Sequence, residues 1–489
     1  MAIDFLAIAP EIALTVTALI VLAVDLALRG DAKQLVNPIA ALGTIVAIVL
    51  TAMLWGQERT TFGTSFVVND YAVVFKLLFL GSLLAILGIS WRFFAEGRYF
   101  QGEYYFLLLT AFIGMLIMPS ARDLILLFVA VETVSIPAFV MAGLRKRDLY
   151  SSEAALKFFL IGVLSVALML FGMSMVYGFT GHTDLAGIAT ALAAMETVPP
   201  LLLASMLLVI VGFGFKVSAV PFHFWAPDTY AGAPMPVTAM LAVASKAAGF
   251  AGLIAVMFIA FEPLAAVWAP IMGVLAIVTM TLGNLVALQQ RDLIRLLAYS
   301  SVAQAGYMLI PFGLARSGSP VVNDAAVQAV LFYLIAYAVM NIGAFGVAIA
   351  VNRRTGLRSI ADFSGLASRS PLLAMAMTVF VLSLGGAPPT IGLWAKFAIV
   401  QAALTEVTAF GIVLMVFLAI NSAIAFFYYL KLVRIMWMES ATEGAPALQP
   451  GFNLSVVVLV LMLGTVVLGL LPGLVSGATS LTSVLATAG

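Results

Sequence analysis

The chain has 489 residues, of which 64% are hydrophobic and 9% charged, with a formal net charge of +1 and a mean hydropathy of +1.16. These values lie far outside the range of soluble domains and predict a membrane protein. The small net charge argues against a nucleic-acid partner, and zero cysteines with two histidines disfavour a haem, iron–sulfur or zinc site. Any redox cofactor is therefore expected in partner chains.

The hydropathy pattern predicts about fourteen transmembrane helices, because each needs roughly 20 mainly apolar residues. Turn signals such as "RGDAK", "GHTD" and "ESATEGAPALQPG" separate several of them. The chain is accordingly predicted to be an all-α polytopic membrane protein. The predicted spans, numbered 1 to 14, are 10–28, 35–55, 70–91, 103–119, 122–144, 153–179, 199–225, 236–260, 264–289, 293–314, 325–351, 371–403, 408–437 and 452–476.

The basic residues of the loops predict the orientation. The loops after spans 1, 3, 5, 9, 11 and 13 contain fourteen Lys and Arg residues, whereas the opposite loops contain only Arg59, Arg122 and Arg316. Cytoplasmic loops are enriched in Lys and Arg, so the first set is predicted to be cytoplasmic. An even number of spans then places both termini on the non-cytoplasmic side of a membrane expected to be the bacterial inner membrane.

Six lysines lie within the predicted spans, whereas arginine is essentially confined to loops and helix ends. Lysine exchanges its proton readily when buried and arginine does not, so a group that must release and recapture protons is expected to be lysine. A charge at the bilayer centre costs about 2.5–3.5 kcal/mol on insertion scales, which makes each such lysine a functional candidate. For Lys76 and Lys431, near span ends, extension to the headgroups is the simpler interpretation. The six are Lys76, Lys157, Lys216, Lys246, Lys396 and Lys431.

Glu132 is the only acidic residue near the middle of a predicted span, and Asp25 lies near the end of span 1. A glutamate about 4 Å from a buried lysine contributes on the order of 4 kcal/mol at an effective dielectric constant near 20. Making or breaking such a pair is enough to change the protonation state of the lysine. Glu132 is therefore predicted to load and unload a nearby lysine.

Two predicted spans contain proline and glycine interruptions: span 7 with "FGFKVSAVPFHFWAPD" and span 12 with "SLGGAPPTIGLWAKF". Each is fourth in a five-helix unit, spans 4–8 and 9–13, and the odd unit length forces the two units into opposite orientations. Interrupted helices at corresponding positions of inverted repeats indicate an ion pathway near the midplane. Lys216 precedes one break and Lys396 follows the other, while spans 8 and 13 carry Lys246 and Lys431. The predicted domains are 1–102, 103–260, 261–440 and 441–489.

Other polar residues near these spans are weaker candidates. His223, two residues after Pro221, has a side chain suited to proton transfer, although an isolated histidine is more often only hydrogen-bonded. Spans 10 and 11 carry no charged equivalents of Glu132 and Lys157. The polar residues there are Gln304, Tyr333, Tyr337 and Asn341.

Three long motifs, "PFHFWAPDTYAGAP" at 221–234, "SKAAGF" at 245–250 and "RDLIRLLAYSSVAQAGY" at 291–307, resemble the antiporter-like membrane subunits of respiratory complex I. The resemblance extends over nearly the whole chain and implies fourteen helices, inverted five-helix repeats, broken helices 7 and 12, and a proton channel. The residue roles that it implies are Glu132 as the acid of helix 5, Lys216 and Lys246 as the lysines of helices 7 and 8, and Lys396 as the exit-facing group of helix 12.

Among these subunits the chain is most similar to subunit N, which has a helix-6 lysine matching Lys157. The chain end at Gly489 leaves no room for the long lateral helix of subunit L, and Lys396 replaces the glutamate typical of subunit M. Gln304 departs from the histidine that relatives often have there, which argues against a titrating link between the half-channels. A link through Gln304 and water is the alternative.

The leading functional interpretation is a proton-translocating subunit of NADH:quinone oxidoreductase, with flavin, iron–sulfur clusters and quinone in partner subunits of the complex. Protons are expected to move from the cytoplasm along buried Glu132, Lys157, Lys216, Lys246 and Lys396, with His223 and Lys431 as further candidates. The alternative is a subunit of a multi-subunit cation/proton antiporter, which needs hard oxygen ligands for Na⁺ or K⁺. A third interpretation is a structural spacer, for which removal of the buried charges is expected to be neutral or stabilising.

Overall fold

A computed structural model of the protein describes residues 3–96, 101–355, 358–441, 448 and 451–480. These residues are helical almost throughout. The α-helices are α1 Ala9–Ala27, α2 Val36–Ala52, α3 Asp70–Glu96, α4 Gln101–Ile117, α5 Leu124–Ala142, α6 Leu149–Thr180, α7 Leu185–Ala193, α8 Pro200–Val217, α9 Trp225–Gly232, α10 Met235–Met240, α11 Lys246–Ala255, α12 Ala265–Ala287, α13 Leu293–Gly313, α14 Pro320–Thr355, α15 Leu366–Arg369, α16 Pro371–Gly385, α17 Ile391–Thr405, α18 Ala409–Met438, α19 Phe452–Leu470 and α20 Gly473–Ser480.

The predicted membrane crossings are confirmed. Within the described residues, thirteen helices are long and apolar enough to span a bilayer, and two shorter apolar helices, α16 and α17, lie where the sequence predicts span 12. Helix α10, two π-helical turns at Leu241–Ser245 and Val256–Ala260, and α11 form one continuous, wholly buried span from Met235 to Ala260. Short 3₁₀ turns occur at Gly30–Leu35, Met118–Ser120, Glu262–Leu264 and Ile360–Phe363.

Two helices begin earlier than their hydropathy predicts. Helix α6 begins at Leu149, where the Asp148 side chain caps it by accepting a hydrogen bond from the Tyr150 backbone N–H at 3.0 Å. Helix α14 begins at Pro320, a residue suited to a first helical turn, but Asn323 lowers the apolar character of that turn. Both helices therefore extend beyond the apolar run that the sequence displays.

Two small elements were not predicted. Strands β1 Arg59–Thr61 and β2 Phe66–Val68 form a short antiparallel hairpin between α2 and α3 in the otherwise helical fold. Their threonine and valine side chains favour strands, and Gly63 in the connecting turn has a φ of 80°. Helix α7 lies in the connection between α6 and α8, a segment for which no span was predicted.

Close packing of α12 against α13 places the polar face of α13 inside the protein. A Cβ atom at Gly283 would lie 2.6 Å from the backbone nitrogen of Ala303, and one at Gly306 would lie 2.4 Å from that of Met280. Small residues allow the two backbones to approach this closely, as in other membrane helix pairs. The contact fixes the helix that carries Ser301 and Gln304.

Some sequence features fall on parts of the chain that are not described. Arg98 and the chain end at Gly489 lie outside the described residues, as do the side chains of Arg353 and Arg354. The four predicted domain ranges and the sidedness of the termini stay predictions.

Candidate functional site

The two interrupted spans are broken by the same backbone device. Helix α8 ends at Val217, Ser218 takes a left-handed conformation with φ of 60°, and the Ala219 N–H donates to the Gly214 carbonyl at 2.8 Å. Helix α16 ends in the same manner, with Gly386 at φ 98° and the Ala387 N–H 3.0 Å from the Leu382 carbonyl. Both are Schellman-type ends, which stop a helix abruptly. The predicted breaks in spans 7 and 12 are therefore confirmed.

Lys216 lies in the last turn of α8, with 5% of its surface exposed. Its Nζ donates a hydrogen bond to the Ser135 hydroxyl of α5 at 2.5 Å. Ser135 and Glu132 are three residues apart on α5 and therefore lie on one face of that helix. The lysine predicted to carry protons is thus buried, and it contacts the helix that carries the predicted acid.

Glu132 itself is half-buried. Its carboxylate is near enough to Lys216 for an electrostatic interaction, yet among the described residues the two side chains form no direct ion pair. Ser135 occupies the position of direct partner to the lysine. The predicted role of Glu132 as the charge that loads and unloads Lys216 stays a prediction.

Lys246 lies on α11, directly after the first π-helical turn, and only 1% of its surface is exposed. Its Nζ donates to the Ser301 carbonyl at 2.7 Å and to the Ser301 hydroxyl at 3.0 Å. A Cβ atom at Gly249 would lie 2.9 Å from the Cβ of Lys216, so glycine allows α11 to approach α8. Lys216 and Lys246 are thereby placed on two helices in direct contact.

Gln304, one turn beyond Ser301 on α13, extends the polar line towards the second broken helix. It is fully buried, its Oε1 accepts a hydrogen bond from the Tyr333 hydroxyl at 2.5 Å, and its Nε2 donates to the Leu384 carbonyl at 3.2 Å. Leu384 belongs to the last turn of α16. Gln304 therefore joins α13 to α14 and to the end of α16, and its role as a link between the half-channels stays a prediction.

Lys396 lies on α17 and reaches back across the second break. Its Nζ donates to the Gly385 carbonyl at 2.5 Å and lies 5.0 Å from the centroid of the Tyr307 ring. A helix C-terminus carries partial negative charge, and an aromatic face attracts a cation, so both partners favour the ammonium form. The consecutive carbonyls of Leu384 and Gly385 thus receive Gln304 and Lys396 side by side.

Buried hydroxyl and amide groups surround this junction. The Ser300 and Tyr429 hydroxyls lie 2.5 Å apart, and the Asn284 Nδ2 donates to the Tyr307 hydroxyl at 2.9 Å. Asn341 Nδ2 donates to the Tyr337 hydroxyl at 2.8 Å. The sequence prediction named Tyr333, Tyr337 and Asn341 as the polar residues here. It missed Asn284, Ser300 and Ser301, because the meeting of polar side chains from neighbouring helices depends on packing that the sequence does not show.

Lys157 differs from the other predicted lysines. It was expected to be buried, but 44% of its side chain is exposed, and its Nζ lies 2.8 Å from both the Glu153 and Asp228 carboxylates. Lys157 is exposed because α6 begins early, at Leu149, which places this lysine about two turns from the helix end. Arg295 Nη1 lies 3.1 Å from the other Asp228 oxygen, and these four residues line a cavity of about 310 Å³.

Asp228 was not predicted as a site residue, although its motif was quoted. It follows the break in span 7 and lies on α9, between Lys157 of the first five-helix unit and Arg295 of the second. The sequence signal was a single acidic residue between Trp225 and Tyr230 in the mainly apolar stretch "FWAPDTY". The cavity is on the side predicted to be cytoplasmic.

Comparison with known proteins assigns the family. The family described as "NADH:quinone oxidoreductase/Mrp antiporter, TM" matches residues 121–422, more than half of the chain. The chain belongs to this family. The matched range contains the broken helices, Glu132, Lys216, Lys246, Gln304 and Lys396, and ends before Lys431.

Individual relatives agree on the type of subunit. The chain is 42% identical over 461 residues to NADH-quinone oxidoreductase subunit N 2 of Streptomyces griseus, covering 91% of this chain and 84% of that protein. It is 39% identical over 490 residues to F(420)H(2) dehydrogenase subunit N of Methanosarcina mazei, covering 96% of each. A chain of respiratory complex I from Thermus thermophilus is 31% identical, with a TM-score of 0.78 over 96% of this chain and 99% of that chain. The predicted likeness to subunit N is confirmed.

Two further candidate residues, His223 and Lys431, lie outside the hydrogen bonds described above. His223 is in the connection between α8 and α9, with 3% of its surface exposed, and its Nδ1 has no hydrogen-bond partner among the described residues. Lys431 is exposed on α18, as the headgroup interpretation expected. Their roles in proton transfer stay predictions.

A buried ion pair between Glu11 and Lys76 was not predicted from the sequence. Lys76 of α3 was expected to reach the headgroups, but it is fully buried, with its Nζ 2.8 Å from the Glu11 carboxylate of α1. The expectation was wrong because it used only the distance from Lys76 to the end of its own helix. Packing of α1 and the hairpin covers that end.

Proposed function

We propose that this chain is a proton-translocating membrane subunit of an NADH:quinone oxidoreductase and moves protons from the cytoplasm to the opposite side. The observation that carries the proposal is the junction at α16, where Gln304 and Lys396 bind consecutive backbone carbonyls while Ser301, on the helix of Gln304, holds Lys246. This arrangement supports a proton path between two buried lysines, one in each predicted repeat. The names of the relatives support the assignment to the oxidoreductase.

Proton uptake begins at the cavity that contains Lys157, Glu153, Asp228 and Arg295. These charges are partly exposed and exchange protons with water. From there a proton reaches Lys216, which Ser135 orients and the Glu132 charge favours in its ammonium form. When the Glu132 carboxylate is protonated or moves away, the ammonium of Lys216 loses that stabilisation and releases its proton. Glu132 is therefore the control element of the first half.

Transfer through the second half depends on neutral groups. Lys246 donates a proton to the Ser301 oxygen as the Ser301 hydroxyl gives its own proton to the next water or hydroxyl, and this relay continues past Gln304 until Lys396 accepts a proton. The Gln304 amide does not take up a proton at neutral pH, so Gln304 acts as a positioning residue that holds the Tyr333 hydroxyl and the end of α16. Lys396 then releases the proton to the non-cytoplasmic side.

The redox reaction belongs to partner subunits in this proposal. Flavin, iron–sulfur clusters and quinone are held by other subunits of the complex, and this chain acts as a translocase without a redox site of its own. The assembly resides in the bacterial inner membrane, with both termini of the chain on the non-cytoplasmic side. NADH is proposed as the electron donor because most of the named relatives are NADH-quinone oxidoreductase subunits.

Purification of the tagged chain in mild detergent, with identification of partners and assay of NADH:quinone reductase, tests the proposal. The expected result is that NADH oxidation co-purifies with the chain. Proton uptake into vesicles should fall in Lys216→Met but not in the control variant Lys33→Met, which changes a partly exposed lysine outside the proposed path. Recovery with only other antiporter-type subunits and no redox activity would instead favour the cation/proton antiporter. Unchanged pumping in Lys216→Met would favour the structural spacer.

A further inference from the structure

The Tyr307 ring that faces Lys396 is itself held by a second side chain. The ring centroid lies 5.0 Å from the Lys396 Nζ, a distance at which an aromatic face attracts a cation. The hydroxyl of the same tyrosine accepts a hydrogen bond at 2.9 Å from the Nδ2 of Asn284, on α12. Lys396 and Asn284 therefore contact different parts of one tyrosine.

Asn284 can reach this hydroxyl because the residue before it is glycine. A Cβ atom at Gly283 would lie 2.6 Å from the Ala303 backbone nitrogen, so a side chain there would push α12 away from α13. Asn284 lies beside this contact and is fully buried. A buried amide costs free energy unless it is hydrogen-bonded, so the partners of Asn284 determine what it can do.

The hydrogen bonds of Asn421, on α18, determine the orientation of the Asn284 amide. Asn421 Nδ2 lies 3.0 Å from the Phe417 carbonyl, which can only accept, so the Asn421 Oδ1 is the atom that faces Asn284. Asn284 must then donate to that oxygen, at 3.1 Å, and its own Oδ1 accepts a hydrogen bond from the Tyr428 hydroxyl at 3.0 Å. The same Nδ2 also donates to Tyr307.

This arrangement makes Asn284 a fixed donor to the Tyr307 oxygen. An amide does not take up a proton at neutral pH, so proton transfer does not continue through Asn284. The hydrogen bond instead keeps the tyrosine from turning, with its ring face toward the Lys396 ammonium. Among the described residues no charged side chain interacts with Lys396, so this ring and the Gly385 carbonyl are the groups that favour its ammonium form.

We propose that Asn284, locked by Asn421, is a positioning residue that holds the Tyr307 ring against Lys396 and so controls how readily Lys396 releases its proton. This inference rests on the proposed function, because it requires that Lys396 carries protons. A contact between a cation and an aromatic face changes the population of the ammonium form by roughly two- to thirtyfold. Loss of the anchor should therefore alter proton release while the carrier remains.

Proton uptake by vesicles that contain the complete assembly, measured across pH and divided by the rate of substrate oxidation, tests the proposal. Asn284→Leu removes the anchor and Tyr307→Leu removes the ring. Both should lower pumping per substrate by about three- to tenfold and should shift its pH profile by the same amount. The combined variant should lose no more than Tyr307→Leu alone, because the two residues act as one unit.

Tyr307→Phe separates the ring from the hydroxyl. It leaves Asn284 bonded to Asn421 and Tyr428, so assembly should be retained. Pumping should fall by less than about twofold, since a phenyl ring remains packed beside Lys396. A loss as large as in Tyr307→Leu would mean that the hydroxyl itself transfers protons, and would overturn the proposal.

The matched control is another asparagine–tyrosine pair, outside the second predicted repeat. Asn37 of α2 is buried, and its Nδ2 donates to the Tyr105 hydroxyl of α4 at 2.8 Å. Asn37→Leu should lower the thermal midpoint as Asn284→Leu does, but should leave pumping per substrate and its pH profile unchanged. If Asn284→Leu does not assemble, Asn421→Leu unlocks the amide with Asn284 in place and should shift the profile in the same direction.

Failure of this inference and failure of the proposed function give different results. Normal pumping in Lys396→Met would overturn the proposed function and this inference with it. Lost pumping in Lys396→Met, together with a normal pH profile in Asn284→Leu, would overturn the role of Asn284 alone, even if the thermal midpoint falls.

Discussion

The two broken spans share a backbone design but place their lysines in different electrostatic surroundings. Lys216 lies just before its break and contacts side chains of α5, whereas Lys396 lies after its break and binds the carbonyl end of α16. Side-chain partners change with protonation and rotamer, but a helix end is a fixed dipole. The first site is therefore suited to switching and the second to holding and releasing a proton at a constant affinity.

In the proposed mechanism, this difference is the reason that only one half needs an acidic residue. Glu132 would be the adjustable charge beside Lys216, whereas Gln304, the residue that approaches the α16 end beside Lys396, is neutral. An input of energy from partner subunits would act on the first half. The second half would follow passively through the hydroxyl and amide groups between Lys246 and Lys396.

The largest expected effect is loss of either lysine. Lys216→Met and Lys396→Met each remove a proton carrier and should reduce proton translocation by about 10²-fold, within the range found for general acid–base groups. Proton uptake by vesicles during substrate oxidation measures this. Assembly should be retained, since methionine fills a similar volume without a buried charge. Normal pumping in Lys396→Met would break the comparison, because the second half would then work without its lysine.

A smaller effect, confined to the first half, is expected for Glu132→Gln. The lost attraction on Lys216 is about 1 to 2 kcal/mol, which corresponds to roughly five- to thirtyfold in the population of the ammonium form. Pumping should fall by a similar factor and recover partly in Glu132→Asp. Measurement of pumping rate against pH should show a shifted profile for Glu132→Gln, whereas Gln304→His should leave the first half unchanged. An unshifted profile would contradict the switching role.

Local features of the sequence were sufficient to predict the spans and both breaks. Apolar runs of bilayer length, and residues such as Pro221 and Gly386 that interrupt helices, act within a few residues of their own position. The burial of Lys216, Lys246 and Lys396 followed from their places in the middle of apolar runs. These predictions required no knowledge of which helices touch.

Features that depend on helix packing were not predictable in this way. The partner of Lys76 is 65 residues away at Glu11, and a helix that appears to end near the surface is covered there by another element. The exposure of Lys157 depends on where α6 begins, and Asp228 gains its importance from meeting two helices of different repeats. Pairings of this kind arise from the three-dimensional arrangement of helices.

An intermediate effect is expected where the two halves meet. Gln304→Leu leaves the Tyr333 hydroxyl and the Leu384 carbonyl without their partner, which costs about 1–3 kcal/mol for a buried polar group. The thermal midpoint of the purified assembly should fall, and pumping should fall severalfold while substrate oxidation by uncoupled membranes continues. Gln304→His offers a donor and an acceptor again and should restore pumping. Equal loss in both variants would assign Gln304 a packing role only.

The smallest effect is expected at the cytoplasmic cavity, where charges are partly exposed. Lys157→Met removes two ion pairs, but exposed pairs contribute only about 0–1 kcal/mol each, and water remains able to deliver protons. Pumping should therefore fall by less than about threefold, and the effect should diminish at high salt because screening already weakens these pairs. Asp228→Asn is the sharper variant, since it leaves Lys157 and Arg295 facing each other without a carboxylate between the repeats. If Lys157→Met were as damaging as Lys216→Met, the half-exposed lysine would be an obligatory proton carrier, and water in the cavity would not be sufficient to deliver protons to Lys216.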